Sequence, residues 1–103
     1  MQNVYLKFYL TEKRHHNGSL LYEWLLEEAR RLGATGGSVF RAISGFGRHG
    51  RLHDESFFEL AGELPVQVEF VTDSATADQL IHSLRAHQLD LFYVRYAVEA
   101  GVL

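Results

Sequence analysis

The stretch VYLKFYL, residues 4–10, alternates strictly between two sets of side chains. One set is Val4, Leu6, Phe8 and Leu10, and the other is Tyr5, Lys7 and Tyr9. An apolar period of two, built from aromatic and branched residues, predicts a β-strand. The second set is unusual for a strand, because two tyrosines are large for a surface that meets only water.

The residues that follow predict a polar connection and then a helix. Its apolar stripe, at helical spacing, consists of Leu20, Leu21, Trp24, Leu25, Ala29 and Leu32. Asn17 or Ser19 is expected to cap the start of this helix, and Gly33 suits the left-handed position after its end. Glu27 and Arg31 lie four residues apart, a spacing that supports a helix. We expect Glu27, Glu28, Arg30 and Arg31 to form its solvated face.

The remainder of the chain predicts three more strands and a second helix. Residues 38–44 and 66–72 form strands, the latter with Pro65 at its entrance, where a missing N–H does least harm. Asp73 or Ser74 can cap the second helix, whose stripe is Ala77, Leu80, Ile81, Leu84 and, at its end, Gln88. The last strand is residues 91–98, with Phe92, Val94, Tyr96 and Val98 on one side.

The order strand, helix, strand, strand, helix, strand predicts a ferredoxin-like α+β fold for residues 1–103 as a single domain. Right-handed crossovers place both helices on one face of a four-stranded antiparallel sheet. The other face is then uncovered, and we expect it to carry Tyr5, Tyr9, Tyr93 and Arg41 or Phe40. Such an aromatic face is too apolar for a lone monomer, so self-association is predicted.

The composition excludes several classes of function. With no cysteine, the chain has no disulfides, no thiolate catalysis and no cysteine-based metal site. A net charge of −3 gives no electrostatic footprint for nucleic acid. No apolar stretch reaches the roughly 20 residues of a membrane span, and no signal peptide is evident. We therefore expect a cytoplasmic protein that neither inserts into a membrane nor binds nucleic acid.

The stretch GFGRHGRLH, residues 45–53, contains three glycines, two arginines and two histidines. Glycines allow positive φ and a close approach of backbone N–H groups to a ligand, and arginine binds phosphate or carboxylate through paired hydrogen bonds. We predict an anion site here, with Gly45 and Gly47 supplying the bend. The predicted ligand contacts are Arg41, Gly45, Phe46, Gly47, Arg48, Arg51 and His53. The alternative is a solvated loop whose arginines pair with nearby acidic residues.

The sequence NGSLLYEWLLEEARRLGATGGSVFRAISGFGRHGRLH, with ELPVQVEFV after it, resembles the PII-like proteins grouped as domain of unknown function 190. The residues that carry the likeness are Gly18, Leu21, Tyr22, Glu23, Gly33, Arg41, Gly45, Phe46, Gly47 and His53, although Ala42 stands where a glycine is expected. The resemblance implies a PII-like homotrimer with nucleotides in the clefts between protomers. It also implies that the loop after the second strand, here residues 45–57, projects toward a protein partner such as a transporter or an enzyme.

Two features depart from the pattern of the PII proteins. Their glycine-rich, lysine-containing phosphate turn before the last strand is replaced by AHQLD, residues 86–90, and residues 46–57 contain no tyrosine for modification. ATP binding by that turn and tyrosine modification are therefore not expected. Together with the anion site predicted from the loop, the resemblance implies a non-enzymatic signalling protein that requires no cofactor and binds a small anionic metabolite or a nucleotide.

Two other functions stay open. His49 and His53 lie four residues apart, and His15 and His16 could add ligands in a metal-binding oligomer, although two histidines alone make a poor site. A small ferredoxin-like enzyme would need a nucleophile or an acid–base pair. Ser44, His49, His53 and Asp54 are the grouped candidates, without a third, orienting partner at a recognisable spacing.

Overall fold

A four-stranded antiparallel sheet with two helices forms the frame of the protein. The computed structural model of the chain describes residues 2–46, 52–54 and 65–103. The sheet strands are β1 (Asn3–Thr11), β4 (Gly37–Arg41), β7 (Pro65–Asp73) and β8 (Phe92–Val98), and the helices are α1 (Leu21–Arg31) and α2 (Ser74–Ala86). The short strands are β2 (His15–His16), β3 (Ser19–Leu20), β5 (Ser44–Phe46) and β6 (Leu52–Asp54). The sheet order is β4-β7-β1-β8, which confirms the predicted ferredoxin-like arrangement.

The core lies between one face of this sheet and the two helices. The buried sheet residues are Val4, Leu6, Phe8, Leu10, Val66, Val68 and Phe70, and the buried apolar helix residues are Leu21, Leu25, Ala29, Ala77, Leu80, Ile81 and Leu84. Every second residue of β1 and β7 is buried, as the period of two predicts, and all of them except Thr72 belong to this set. All fourteen form one cluster, so both helices cover the same face, which we call the helix face.

The helix starts differ from each other in how they are capped. Asp73 caps α2 as predicted, since its carboxylate accepts from the N–H and the hydroxyl of Thr76, and these hydrogen bonds lower the pKa of Asp73. The prediction for α1 is wrong, because Leu20 occupies the N-cap position and no side chain caps this helix. Asn17 and Ser19 instead belong to a hairpin.

That hairpin, β2 paired with β3, lies in the segment predicted as a polar connection. His15 pairs with Leu20 and His16 with Ser19, and the turn residues Asn17 and Gly18 have φ of 51° and 82°. Asn-Gly with positive φ at both positions is the strongest sequence signature of a tight two-residue hairpin. The signal was present in the sequence, and the capping interpretation of the same asparagine missed it.

Both helices end in the same backbone motif. The N–H groups of Gly33 and Ala34 donate to the carbonyls of Arg30 and Ala29, and Gly33 has φ of 107°, as predicted. At the end of α2, the N–H of Leu89 donates to the carbonyl of Leu84, and Gln88 takes the left-handed position with φ of 57°. Gln88 therefore lies just beyond the end of α2 and is not part of its apolar stripe.

Glu28 does not lie on a solvated face, contrary to the prediction. It is 8% exposed and accepts hydrogen bonds from Ser83 of α2 and, in a paired geometry, from Arg31. Arg31 holds the pKa of Glu28 below its ordinary value, although burial opposes this shift. Arg30 pairs with Glu27, so the ion pairs of α1 are spaced by three residues and the predicted Glu27–Arg31 pair is replaced.

Candidate functional site at the base of the 45–57 loop

Arg41 is the last residue of β4, where the chain leaves the sheet for the 45–57 loop. It lies opposite Val66 in the strand register and therefore on the helix face. Just beyond it, the N–H of Ala42 donates to the carbonyl of Pro65 at 2.9 Å. Pro65 is the first residue of β7, so the chain entering and leaving residues 43–64 is held together at this point. We call the surroundings of Arg41, Ala42 and Pro65 the loop base.

Glu12 contributes a carboxylate to the loop base. It lies in the turn after β1, where the N–H of Arg14 donates to the carbonyl of Thr11 at 3.3 Å. Its Oε1 pairs with the guanidinium of Arg41, which is half-exposed, whereas the Glu12 side chain is 23% exposed. This pair joins residues 29 apart in sequence, and Glu12 was not among the predicted site residues.

The described part of the loop forms a short antiparallel ladder. Ser44 pairs with Asp54, Gly45 with His53 and Phe46 with Leu52. This register brings two predicted contacts, Gly45 and His53, opposite each other. Gly45 lies within a strand, and the described glycines with positive φ are Gly18 and Gly33, so the prediction that Gly45 supplies a bend is wrong.

The other predicted contacts in this stretch, Gly47, Arg48 and Arg51, lie outside the described residues, as does His49. Their part in ligand binding therefore stays a prediction. The structure places Arg41 at the loop base and Gly45, Phe46 and His53 in the β5–β6 ladder.

Next to the loop base lies the sheet face that the helices leave uncovered, which we call the open face. Its residues form three rows across the strands. The first row is Phe40, Gln67, Tyr9 and Phe92, the second is Ser38, Glu69, Lys7 and Val94, and the third is Val71, Tyr5 and Tyr96. Phe40, Phe92 and Tyr96 are 52%, 54% and 52% exposed, so two largely aromatic rows flank a polar one.

The predicted membership of the open face is correct for Tyr5 and Tyr9 and wrong for Tyr93. Tyr93 lies opposite Phe8 on the helix face, with ring centroids 6.2 Å apart. Of the two alternatives on β4, Phe40 is the open-face residue and Arg41 faces the other way. The open face is thus more aromatic and less basic than the sequence predicted.

A polar cluster lies in the centre of the open face. The Tyr5 hydroxyl donates to the Glu69 carboxylate, and the Lys7 ammonium lies 5.4 Å and 5.9 Å from the ring centroids of Tyr5 and Tyr9. Burial and the Glu69 carboxylate raise the pKa of Tyr5, and the Tyr5 hydroxyl raises the pKa of Lys7. At neutral pH Tyr5 is therefore neutral and Lys7 is charged.

His16, one of the candidate metal ligands, belongs to an aromatic cluster. Its ring centroid lies 4.7 Å from that of Trp24 and 5.4 Å from that of His87. The Nδ1 of His87 donates to the carbonyl of Ser83 at 2.9 Å. Within residues 2–46, 52–54 and 65–103, no group of three or more acidic or histidine side chains is arranged to hold a metal ion.

The described part of the chain contains no helix with the length and hydrophobicity of a membrane span.

Comparisons with known proteins agree with the resemblance seen in the sequence. The family model DUF190, described as "Uncharacterized ACR, COG1993", matches residues 3–99. A UPF0166 protein of Aquifex aeolicus is 30% identical over 80 residues, which cover 78% of this chain and 76% of that protein. A UPF0166 protein of Methanocaldococcus jannaschii is 30% identical over 79 residues, covering 77% and 72%.

Among solved structures, the nitrogen regulatory PII-like protein CPII from Thiomonas intermedia K12, bound to ADP, AMP and bicarbonate, is similar in fold. Its TM-score is 0.67 at 13% identity, and the alignment covers 100% of this chain and 97% of that one. An identity this low shows a shared fold and no more. The family match over residues 3–99 shows that this chain belongs to the DUF190 family, and its fold is that of the PII-like proteins.

Proposed function

We propose that this protein is a PII-like regulator that assembles as a homotrimer and binds a small anionic ligand in the clefts between subunits. The observation that carries the proposal is the arrangement of β4. Phe40 points to the open face and the next residue, Arg41, points to the loop base on the other side. Because β4 is an edge strand of the sheet, a second copy that covers Phe40 and extends around this edge would reach Arg41 and form a cleft there.

Self-association is supported by the character of the open face. Its aromatic side chains are too exposed and too contiguous for the surface of a stable monomer. The central polar cluster supplies its own partners, because Tyr5, Lys7 and Glu69 already interact with one another. When another subunit covers this face, the buried polar groups therefore keep partners within the cluster, whereas three isolated polar residues would be buried without any.

The ligand is proposed to be an anion because Arg41 offers a planar guanidinium beside the loop base. Arg48 and Arg51 would add paired hydrogen bonds, and Phe46, Gly47 and His53 further contacts. The similar protein from Thiomonas intermedia is bound to ADP, AMP and bicarbonate. These three are the first ligands to test here, followed by other nucleotides and phosphorylated metabolites.

Triphosphate recognition by the usual PII turn is not part of the proposal. In residues 86–90 the chain forms the end of α2, where Gln88 is left-handed and Leu89 packs against the core. The C-terminal end of a helix carries a partial negative charge and disfavours phosphate. Nucleotide binding by this protein would thus depend more on contacts at the loop base than it does in a PII protein.

The 45–57 loop is proposed to contact a partner protein, such as a transporter or an enzyme, and the protein to have no catalytic activity of its own. A ligand that contacts one conformation of the loop more than another shifts the loop toward that conformation and so changes the surface that a partner meets. A ligand that contacts all conformations equally shifts nothing. Pull-down with and without ligand measures this coupling.

The proposal is tested by isothermal titration calorimetry with ADP, AMP, ATP and bicarbonate. We expect at least one of them to bind the wild type, and the Arg41→Ala and Arg48→Ala/Arg51→Ala variants to bind it less tightly. Arg30→Ala is the control, because Arg30 is an exposed, ion-paired arginine on α1. Unchanged affinity in the variants at all three arginines of the site would refute the proposed site.

A further inference from the structure

We infer that Glu12 competes with the incoming anion for the guanidinium of Arg41. This inference rests on the proposed function and adds a residue to its site. In the structure the Glu12 carboxylate pairs with the Arg41 guanidinium. A carboxylate and a phosphate or bicarbonate group seek the same paired donors of a guanidinium, so ligand entry requires that Glu12 give up its contact or share it.

Glu12 and Arg41 do not come together merely because their strands are adjacent in the sheet. β7 lies between β1 and β4 in the sheet order, so the pair crosses the start of β7 on the helix face. Thr11, the residue before Glu12, pairs with Pro65, the first residue of β7. Glu12 therefore closes over the point where the chain returns from the loop to the sheet.

The turn that carries Glu12 can change without displacing the hairpin that follows. The backbone carbonyl of Arg14 accepts a hydrogen bond from the N–H of Leu21 at 2.7 Å, which ties the end of the turn to the start of α1. Beyond it, His16 packs against Trp24 and His87. Release of Glu12 thus needs a rearrangement of its side chain and of the Glu12–Lys13 turn, whereas the β2–β3 hairpin stays anchored.

Two consequences follow for ligand binding. Removal of the Glu12 charge should raise anion affinity, because both the lost ion pair and the repulsion between two anions oppose binding in the wild type. The opposition should be larger for ligands of higher negative charge, so Glu12 favours weakly charged anions over polyphosphates. Glu12 is in this sense a specificity residue of the loop base.

The test is calorimetric titration of ADP and of bicarbonate into the wild type and the Glu12→Gln variant, which keeps the side-chain shape and removes the charge. An exposed ion pair of this kind corresponds to a gain of about two- to five-fold in affinity. We expect a gain in this range for ADP and a smaller one for bicarbonate. Glu27→Gln, at another ion-paired glutamate, is the control and should leave both affinities unchanged.

Arg41→Ala provides the second arm, because a competitor acts only through the group for which it competes. In the Arg41→Ala background the gain from Glu12→Gln should fall to the smaller part that comes from charge repulsion alone. Weaker binding in Glu12→Gln would show that Glu12 positions Arg41 for the ligand, and equal binding would show that the pair is irrelevant; either result overturns the inference and leaves the proposed function standing. If neither the wild type nor Glu12→Gln binds any of these anions, the proposed function fails together with the inference.

Discussion

Gly37, the first residue of β4, is expected to be sterically required. A Cβ at this position would lie 2.5 Å and 2.7 Å from two ring carbons of Phe70 and 3.2 Å from a methyl group of Leu26. Ordinary contact begins at 3.4 Å, so the Phe70 ring would have to move by at least 0.9 Å. Phe70 is 3% exposed and meets the Phe8 ring edge-on at 6.4 Å, which leaves it little room.

Gly37→Ala should therefore destabilise the protein. Overpacking of a core costs about 1–3 kcal/mol, and the lower entropy of the unfolded alanine chain returns about 0.4–1 kcal/mol. The net loss of about 1–2 kcal/mol corresponds to a Tm lower by about 4–16 °C in a domain of this size. Differential scanning calorimetry at equal chain concentrations measures it, because association shifts the Tm as well.

Gly36→Ala is the matched control, since a Cβ there meets nothing within 4 Å. It should have a Tm equal to or above that of the wild type. In a Phe70→Leu background, where the ring is absent, Gly37→Ala should cost less than in the wild type. A Gly37→Ala protein as stable as Gly36→Ala would refute the reasoning that the Phe70 ring leaves no room for a Cβ at position 37.

Three further outcomes are expected. Glu28→Ala should lower the free energy of unfolding by about 1–3 kcal/mol at pH 7, because a buried hydrogen-bond partner is lost, whereas Glu27→Ala at an exposed pair should have little effect in the same urea titration. Tyr96→Asp should dissociate the assembly in sedimentation velocity, and Gln79→Asp on the outside of α2 should not. Because the folded state lowers the pKa of Asp73, its contribution is complete above the unfolded value of about 4 and disappears as the pH falls through the folded value. The Tm difference between the wild type and Asp73→Ala should therefore narrow in acid.

The central strands were predictable because burial on one face enforces a strict alternation. In β1 and β7 every second residue is buried, and a pairing shifted by one residue would place Leu6 and Phe70 on opposite faces. The edge strand β8 was harder. Its apolar residues Phe92, Val94 and Tyr96 face away from the helices, while Arg95 reaches Asp78 and Ser74 of α2.

Alternation alone states that Tyr93 and Tyr96 lie on opposite faces and does not state which face the helices cover. Pairing with β1 decides this, because Tyr93 lies opposite the buried Phe8. The same limit applies to Arg41 and Phe40 on β4. At an edge strand, side chains such as those of Tyr93 and Arg95 can reach water from the covered face, so hydropathy does not mark the faces.

Contacts between distant residues were beyond the sequence. Glu12 belongs to the polar connection after β1 and Glu28 was expected on the solvated face of α1, and neither was predicted to have a distant partner. In the structure Glu12 pairs with Arg41, and Glu28 accepts from Ser83. No local pattern marks such pairs. The asparagine–glycine turn before α1 is the opposite case, since its signature is local and would have sufficed to predict the β2–β3 hairpin, although Asn17 was interpreted as a helix cap.

The proposed clefts beside Arg41 exist only if other copies of the chain cover the open face. Sedimentation equilibrium of the wild type in dilute buffer tests this directly. With a chain mass of 11.8 kDa, we expect a single species of about three times that mass, persisting on dilution as stable assemblies do. A stable species of one chain mass would contradict the assembly, the shared clefts and the ligand site proposed within them.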